Sequence, residues 1–167
     1  ANGIEASKIA NGSRPEYWTG IDAHDVNDET MQAIKEYQPD KPVYVAEFWA
    51  GRSQQWGGYF LRQTPEDVAS LYKTALEAGA FVNFYMFCGG TTFGFHNGAL
   101  VGRYGADTPD AKNRYLPFAT SYDVDALVTE YGYPTPKYYR CKQVLREYMT
   151  SKGYDFTGTA DMGGYIC

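Results

Sequence analysis

A single carboxylate interrupts the most strongly β-favouring run of the chain. Residues 43–49 read Val-Tyr-Val-Ala-Glu-Phe-Trp, with Pro42 before the run and Gly51 shortly after it. Valine and aromatic residues at this density predict a buried strand. An unpaired buried charge loses much of its hydration energy, so we expect Glu47 to lie at an open end of the strand, where a substrate can reach it. The alternative is a structural acid that pairs with a lysine or arginine elsewhere in the chain.

The overall composition narrows the class of partner. Aromatic residues make up 17% of the 167 residues, with 16 tyrosines and three tryptophans. Such rings combine a flat apolar face with a polar edge, which suits sugars, although a tyrosine-rich core explains them equally well. The net charge of −5 argues against a nucleic-acid partner. No apolar run approaches the roughly 20 residues that a membrane span needs, so no membrane partner is predicted.

Other candidate chemical groups show weaker patterns. The run Cys88-Gly89-Gly90 lacks the spacing of a phosphate-binding loop. His24 and His96 are far apart in the sequence and lack the spacing of metal ligands. Each is predicted to be a surface or rim histidine. The three cysteines have no C-x-x-C spacing, which argues against a disulfide framework or a zinc site. Cys88 and Cys141 are interpreted as core thiols, and no metal or organic cofactor is predicted. The third cysteine is Cys167.

Helix caps, proline positions and apolar periods predict an alternation of strands and helices. The run over residues 81–87 is nearly continuous in apolar side chains, which is typical of a parallel strand covered on both faces. The predicted elements are a candidate strand over residues 15–22, a helix from Asn27 or Asp28 to Tyr37, the strand over residues 43–49, a helix from Thr64 to Gly79, the strand over residues 81–87 and a helix from Pro136 to Ser151.

A long loop, residues 89–135, separates the last predicted strand from the last helix. It exceeds the roughly 12 to 15 residues of a simple connection, so it is expected to serve a site. Its acids are predicted to be solvated or paired with Lys137 and Arg140; they are Asp123, Asp125 and Glu130.

Strand and helix alternation predicts an α/β fold, and both an open doubly wound sheet and a (β/α)8 barrel fit it. In either architecture, functional residues gather at the carboxyl ends of the strands. Glu47 lies near one such end, and the segment that begins at Cys88 follows another.

Three blocks of sequence, in order and in register, resemble glycoside hydrolase family 35, the β-galactosidases. The similarity extends from about Gly20 to Leu145. The blocks are residues 45–51 with Trp56-Gly57-Gly58, residues 82–87 with Gly89-Gly90-Thr91, and residues 120–123 with Asp125-Ala126 and Glu130-Tyr131-Gly132.

The resemblance implies a (β/α)8 TIM barrel, of which this chain holds about the last three strand–helix units. It also implies retaining hydrolysis of a terminal β-D-galactosyl residue from an oligosaccharide or glycoconjugate, without metal or cofactor. Glu47 matches the nucleophile of the family. Trp49, Trp56 and Tyr122 are the candidate substrate-binding residues.

Retaining cleavage needs a second carboxyl about 5 to 5.5 Å from the nucleophile. The resemblance places it in an upstream Asn-Glu motif, and nothing between Ala1 and Lys41 matches that motif. Glu130 is interpreted as a loop or pairing residue. The chain is therefore expected to be the carboxyl-terminal part of the barrel over residues 1–152, with a tail or linker over residues 153–167. Without the upstream barrel half, we expect it to be unstable and inactive.

Several positions differ from residues that are common in the family. Arg52 replaces a tryptophan, Thr92 an asparagine and Leu127 a proline. Val124 replaces a sugar-contacting tyrosine. Together these differences leave open a shifted substrate or a decayed enzyme. Two hypotheses follow: a retaining β-galactosidase, or a non-catalytic carbohydrate-binding or structural relative. A third, a small flavodoxin-like binding domain, lacks any phosphate loop.

Overall fold

Three parallel strands form the sheet that carries Glu47. The computed structural model describes residues 6–14, 16–23, 25–56, 62–101, 115–122 and 125–155. The strands are β1 (Gly20–Ala23), β2 (Tyr44–Phe48) and β3 (Phe81–Phe84), hydrogen-bonded in the order β1-β2-β3. The strand predicted over residues 15–22 is shorter in the structure and begins later, at Gly20, as β1.

Within the described ranges, four α-helices accompany these strands, and the sequence predicted three of them. They are α1 (Ala6–Gly12), α2 (Asp28–Tyr37), α3 (Pro65–Glu77) and α4 (Pro136–Ser151). Capping side chains determine where α2 and α3 begin. The Asn27 side chain caps α2 by accepting from the Thr30 N–H at 2.9 Å, and Thr64 caps α3 by accepting from the Asp67 N–H at 3.1 Å. The helix α1 was not predicted, because it has too few apolar residues to show a period.

The helices bury one face of the sheet. Ile21, Val45 and Phe48 are fully buried there. The Phe48 ring packs 5.3 Å from that of Phe84 and 6.0 Å from that of Tyr72 on α3. From α4, Cys141 and Val144 join the same core cluster. Cys141 is thus a core thiol, as predicted, and its burial raises the pKa of the thiol to about 11.

The described helices leave the other face of the sheet uncovered, and three predictions for residues 81–88 were wrong. The strand predicted over residues 81–87 ends at Phe84, and it is not covered on both faces, since Phe81 is 58% exposed. In the described part of the chain β3 is an edge strand, and the helices cover only the side of Val82 and Phe84. Cys88 is exposed, so its interpretation as a core thiol was wrong.

The long loop after β3 contains structure of its own. Strands β4 (Ala99–Val101) and β5 (Tyr115–Pro117) form an antiparallel pair, and isolated bridges join Thr91 to Ser121 and Cys88 to Val128. The segment after β5 is therefore joined to the segment that follows β3. Among the described helices, none combines the length and the apolar character that crossing a membrane would require.

Candidate active site

A β-bulge at the end of β2 sets the direction of the Glu47 side chain. In strict alternation Glu47 would share a face with Val43 and Val45, both of which are buried. The register instead pairs Ile21 with Val45 and then Asp22 with Glu47, so β2 has one extra residue. The bulge leaves Glu47 partly exposed on the open face and returns Phe48 to the core. Bulges re-aim side chains in this way beside functional sites.

Two neighbours accommodate the bulge. A Cβ on Gly20 would lie 2.8 Å from the Cβ of Ala46, closer than packed carbons approach, so the position requires glycine. Asn83 on β3 donates from its side-chain amide to the Ala46 carbonyl at 2.9 Å, which satisfies a carbonyl at the irregular step of the ladder. The signal for Asn83 was present in the sequence, as the lone amide in an apolar run.

The Trp49 indole is the hydrogen-bond donor to Glu47. Its Nε1–H donates to Oε2 of Glu47 at 3.1 Å, and the guanidinium of Arg52 lies 5.9 Å from the centre of the Trp49 ring. Among the residues that the structure describes, no lysine or arginine forms an ion pair with Glu47. The alternative of a structural acid neutralised by a basic partner is therefore not what the described site shows.

A second carboxylate, Asp22, lies beside Glu47. The two residues are register partners on adjacent parallel strands. Burial first, and then the negative charge of Glu47, raise the pKa of Asp22 above its ordinary value. Sequence reasoning missed Asp22 as a site residue, although its position at the end of a parallel strand was a usable signal.

Two tyrosines complete this side of the site. The hydroxyls of Tyr85 and Tyr122 are 3.2 Å apart, and their rings meet edge to face. Burial, the contact with Tyr85 and the charge of Glu47 raise the pKa of Tyr122 to about 12, so the phenol keeps its proton at neutral pH. Tyr122 was predicted as a substrate-binding residue. Tyr85 was not, because it lies in an apolar run that predicted only a strand.

The loop acids have partners that were only partly predicted. Asp125 pairs with Lys137 as expected, and Lys137 also donates to the Ala50 carbonyl at 2.7 Å. Glu130 does not pair with Lys137 or with Arg140. It accepts hydrogen bonds from the hydroxyls of Thr91 and Ser121.

The remaining candidates lie apart from Glu47 or outside the described residues. Trp56 is 70% exposed, its backbone N–H donates to the Pro117 carbonyl, and no described contact joins it to Glu47. His96 is exposed, as expected. No group of three His, Cys, Asp or Glu side chains in the described ranges could hold a metal ion. The predictions for His24, Asp123, Val124 and Cys167 concern residues outside the described ranges.

Comparison with known proteins decides the family. The family model for glycosyl hydrolases family 35 matches residues 4–148. This chain belongs to glycosyl hydrolase family 35. The family implies a TIM-barrel-type fold, of which the described strands and helices form a partial α/β arrangement.

The curated relatives of this family 35 chain are much longer than the chain itself. A beta-galactosidase-1-like protein of Mus musculus is 36% identical over 82% of the chain, which spans 20% of that relative. A beta-galactosidase of Xanthomonas manihotis is 35% identical over 80% of the chain and 21% of the relative. A beta-galactosidase of Felis catus is 37% identical over 71% of the chain and 16% of the relative. The chain thus spans about a fifth of the relatives that it matches.

Proposed function

We propose that this chain supplies the nucleophile side of a retaining β-galactosidase active site, with Glu47 as the nucleophile. The observation that carries the proposal is the bulge in β2, which presents Glu47 on the open face of the sheet with an indole donor and without a described cationic partner. A nucleophilic carboxylate must be ionised and must have an accessible oxygen. The names of the relatives supply the substrate class, a β-galactoside.

In this mechanism one oxygen of Glu47 attacks the anomeric carbon while the bond to the leaving oxygen breaks. A second carboxyl protonates that oxygen, and it then removes a proton from the water that cleaves the galactosyl–enzyme ester. Asp22 is not assigned this role, because directly paired strand positions project side by side and do not flank a sugar ring. We assign the acid/base to the additional length that the relatives have beyond the matched stretch.

The sugar contacts are proposed for three aromatic residues. The Trp49 indole donates to Glu47, and Tyr122 lies near enough to Glu47 for the carboxylate charge to act on its phenol. Trp56 is exposed near β5, which suits a more distant part of the substrate. In domain terms, residues 1–152 are proposed to be barrel and residues 153–167 a tail or linker.

Trapping of the covalent intermediate tests the assignment of Glu47. The intact protein is incubated with a 2-deoxy-2-fluoro-galactosyl fluoride. The fluorine at C2 slows both chemical steps, and the good fluoride leaving group at the anomeric carbon offsets this in the first step only, so the ester on the nucleophile accumulates. Peptide mass spectrometry should find the label on Glu47, and Glu47→Gln should abolish it. Glu77→Gln, on the exposed side of α3, is the matched control and should label like the parent protein.

The outcomes separate the two hypotheses. A label on any other residue would reassign the nucleophile. Galactose binding without label or turnover would support the non-catalytic carbohydrate-binding relative instead.

A further inference from the structure

A short antiparallel ladder joins the segment after β3 to the segment that carries Tyr122. Gly90 and Tyr122 exchange two backbone hydrogen bonds, of 3.2 and 2.6 Å, and the next pair along the ladder is Thr91 opposite Ser121. In such a ladder, opposite residues place their side chains next to each other on one face, and the neighbouring residue points to the other face. The hydroxyls of Thr91 and Ser121 are thus adjacent.

One carboxylate binds both hydroxyls. Oε1 of Glu130 accepts from the Thr91 hydroxyl, and Oε2 accepts from that of Ser121 at 2.6 Å. The Ser121 bond and then the Thr91 bond lower the pKa of Glu130, since both favour the ionised form. The cations nearby in sequence have other partners: Lys137 binds Asp125, and Arg140 donates to Gln143.

Glu130 lies in a turn that is closed by backbone hydrogen bonds. The Thr129 N–H donates to the Tyr133 carbonyl, and the Gly132 N–H donates to the Thr129 carbonyl, both at 2.9 Å. Tyr131 is 83% exposed, so side-chain packing contributes little to holding the tip of this turn in place. Backbone hydrogen bonds of Val128 with Phe87 and Gly89 hold the base of this turn, and the Glu130 carboxylate adds the side-chain hydrogen bonds between the turn and the ladder.

The residue after Ser121 is Tyr122, which alternation directs to the opposite face of the ladder. Its hydroxyl lies 3.2 Å from that of Tyr85, near enough to Glu47 for the two to interact electrostatically. We propose that Glu130 is a positioning residue: by clamping Thr91 to Ser121 it holds the Tyr122 hydroxyl against Tyr85 beside Glu47. This inference rests on the proposed function, because it gives Tyr122 a role in binding the sugar at Glu47.

A double-mutant cycle on the intact protein tests the clamp, with kcat/KM for an aryl β-galactoside as the readout. We expect Glu130→Ala and Tyr122→Phe each to lower kcat/KM about tenfold. Both substitutions remove the same positioned hydroxyl. The kcat/KM of the double variant should therefore lie no more than about threefold below that of the less active single variant, whereas independent effects would multiply. Glu130→Gln offers polar atoms to both hydroxyls and should recover most of the loss. Glu147→Ala, which removes an exposed carboxylate bonded to Gln143, is the matched control and should leave kcat/KM unchanged.

Multiplying effects in the cycle would overturn the clamp, as would a Glu130→Ala variant with unchanged kcat/KM. If Glu130→Ala does not fold, Ser121→Ala removes one donor and leaves the carboxylate solvated, and it should show the same non-multiplying loss with Tyr122→Phe. The fluoro-galactosyl label keeps the two proposals apart. A label on Glu47 with multiplying effects rejects only the clamp, whereas a label elsewhere rejects the nucleophile assignment.

Discussion

Glu47 is surrounded by groups that act on its charge in opposite directions. The Trp49 indole donates to one of its oxygens and stabilises the carboxylate, whereas Asp22 on the adjacent strand repels it. The phenol of Tyr122 remains a neutral donor, because its pKa is raised to about 12. A neutral donor and a nearby negative charge hold Glu47 less tightly than a buried ion pair would, and this suits the nucleophilic role that we propose for it.

Replacement of Asp22 by asparagine should stabilise the folded protein at neutral pH. The folded-state pKa of Asp22 is raised, so its ionised form is disfavoured by folding, and this penalty is fully present above that pKa. The penalty disappears below the unfolded value near 3.8. Asp22→Asn should therefore raise the melting temperature of the intact protein at pH 7, with a gain that fades as the pH falls towards 4. Thermal melts across this pH range measure it.

Asp40→Asn, in the exposed turn after α2, is the control and should leave the pH dependence of melting unchanged. A neutral-pH loss of stability in Asp22→Asn would show that Asp22 makes a favourable contact that outweighs its repulsion by Glu47.

At the scale of elements, the sequence predicted what local chemistry determines. The caps Asn27 and Thr64 and the glycine at position 79, with φ of +80°, define α2 and α3 through contacts within a few residues. The bulge in β2 depends instead on Gly20 and Asn83 in neighbouring strands, so no local pattern could show it. The pairing of β4 with β5 is similarly non-local. The bulge positions Glu47, and Tyr122 is held by another non-local contact, its backbone hydrogen bonds with Gly90.

The buried ammonium of Lys137 links α4 to the segments around the site. Lys137 is 4% exposed, and it donates to the Ala50 carbonyl, three residues after Glu47, and to the Asp125 carbonyl at 3.0 Å, in addition to its ion pair with Asp125. Asp125 in turn accepts from the Gln63 N–H at 3.2 Å. One cation thus satisfies acceptors from two loops that border the open face.

Lys137→Met should destabilise the intact protein by about 3 kcal/mol, the lower end of the range for breaking a buried ion pair. The lower end applies because the Asp125 side chain is 23% exposed. Urea denaturation measures the change. Lys73→Met breaks the exposed pair with Glu77 on α3 and should cost less than about 1 kcal/mol. Equal losses in the two variants would mean that Lys137 is not a buried structural cation.

For the molecule as a whole, the described helices cover only one side of the sheet. The open side presents Phe81 and Trp18, whose rings are 6.1 Å apart, and the outer edges of β1 and β3 have no strand partner within the described residues. Beyond the β3 edge, an apolar groove of about 290 Å³ is lined by Phe84, Phe87, Tyr138 and Leu145, among others. The relatives have about four times the length of the chain, and that additional length is available to cover these surfaces.

The 167-residue chain produced by itself should therefore associate and should not hydrolyse galactosides. Unpaired strand edges and contiguous apolar surface favour association between copies, and the second carboxyl that retaining cleavage requires is assigned outside the chain. Sedimentation should show concentration-dependent species larger than the 18.7 kDa monomer, and urea unfolding should lack a single sharp transition. Adding the remaining part of the protein in trans should reduce this association. A monomer with a cooperative transition and turnover of an aryl β-galactoside would show that the open face needs no cover and that an acid/base lies within these residues.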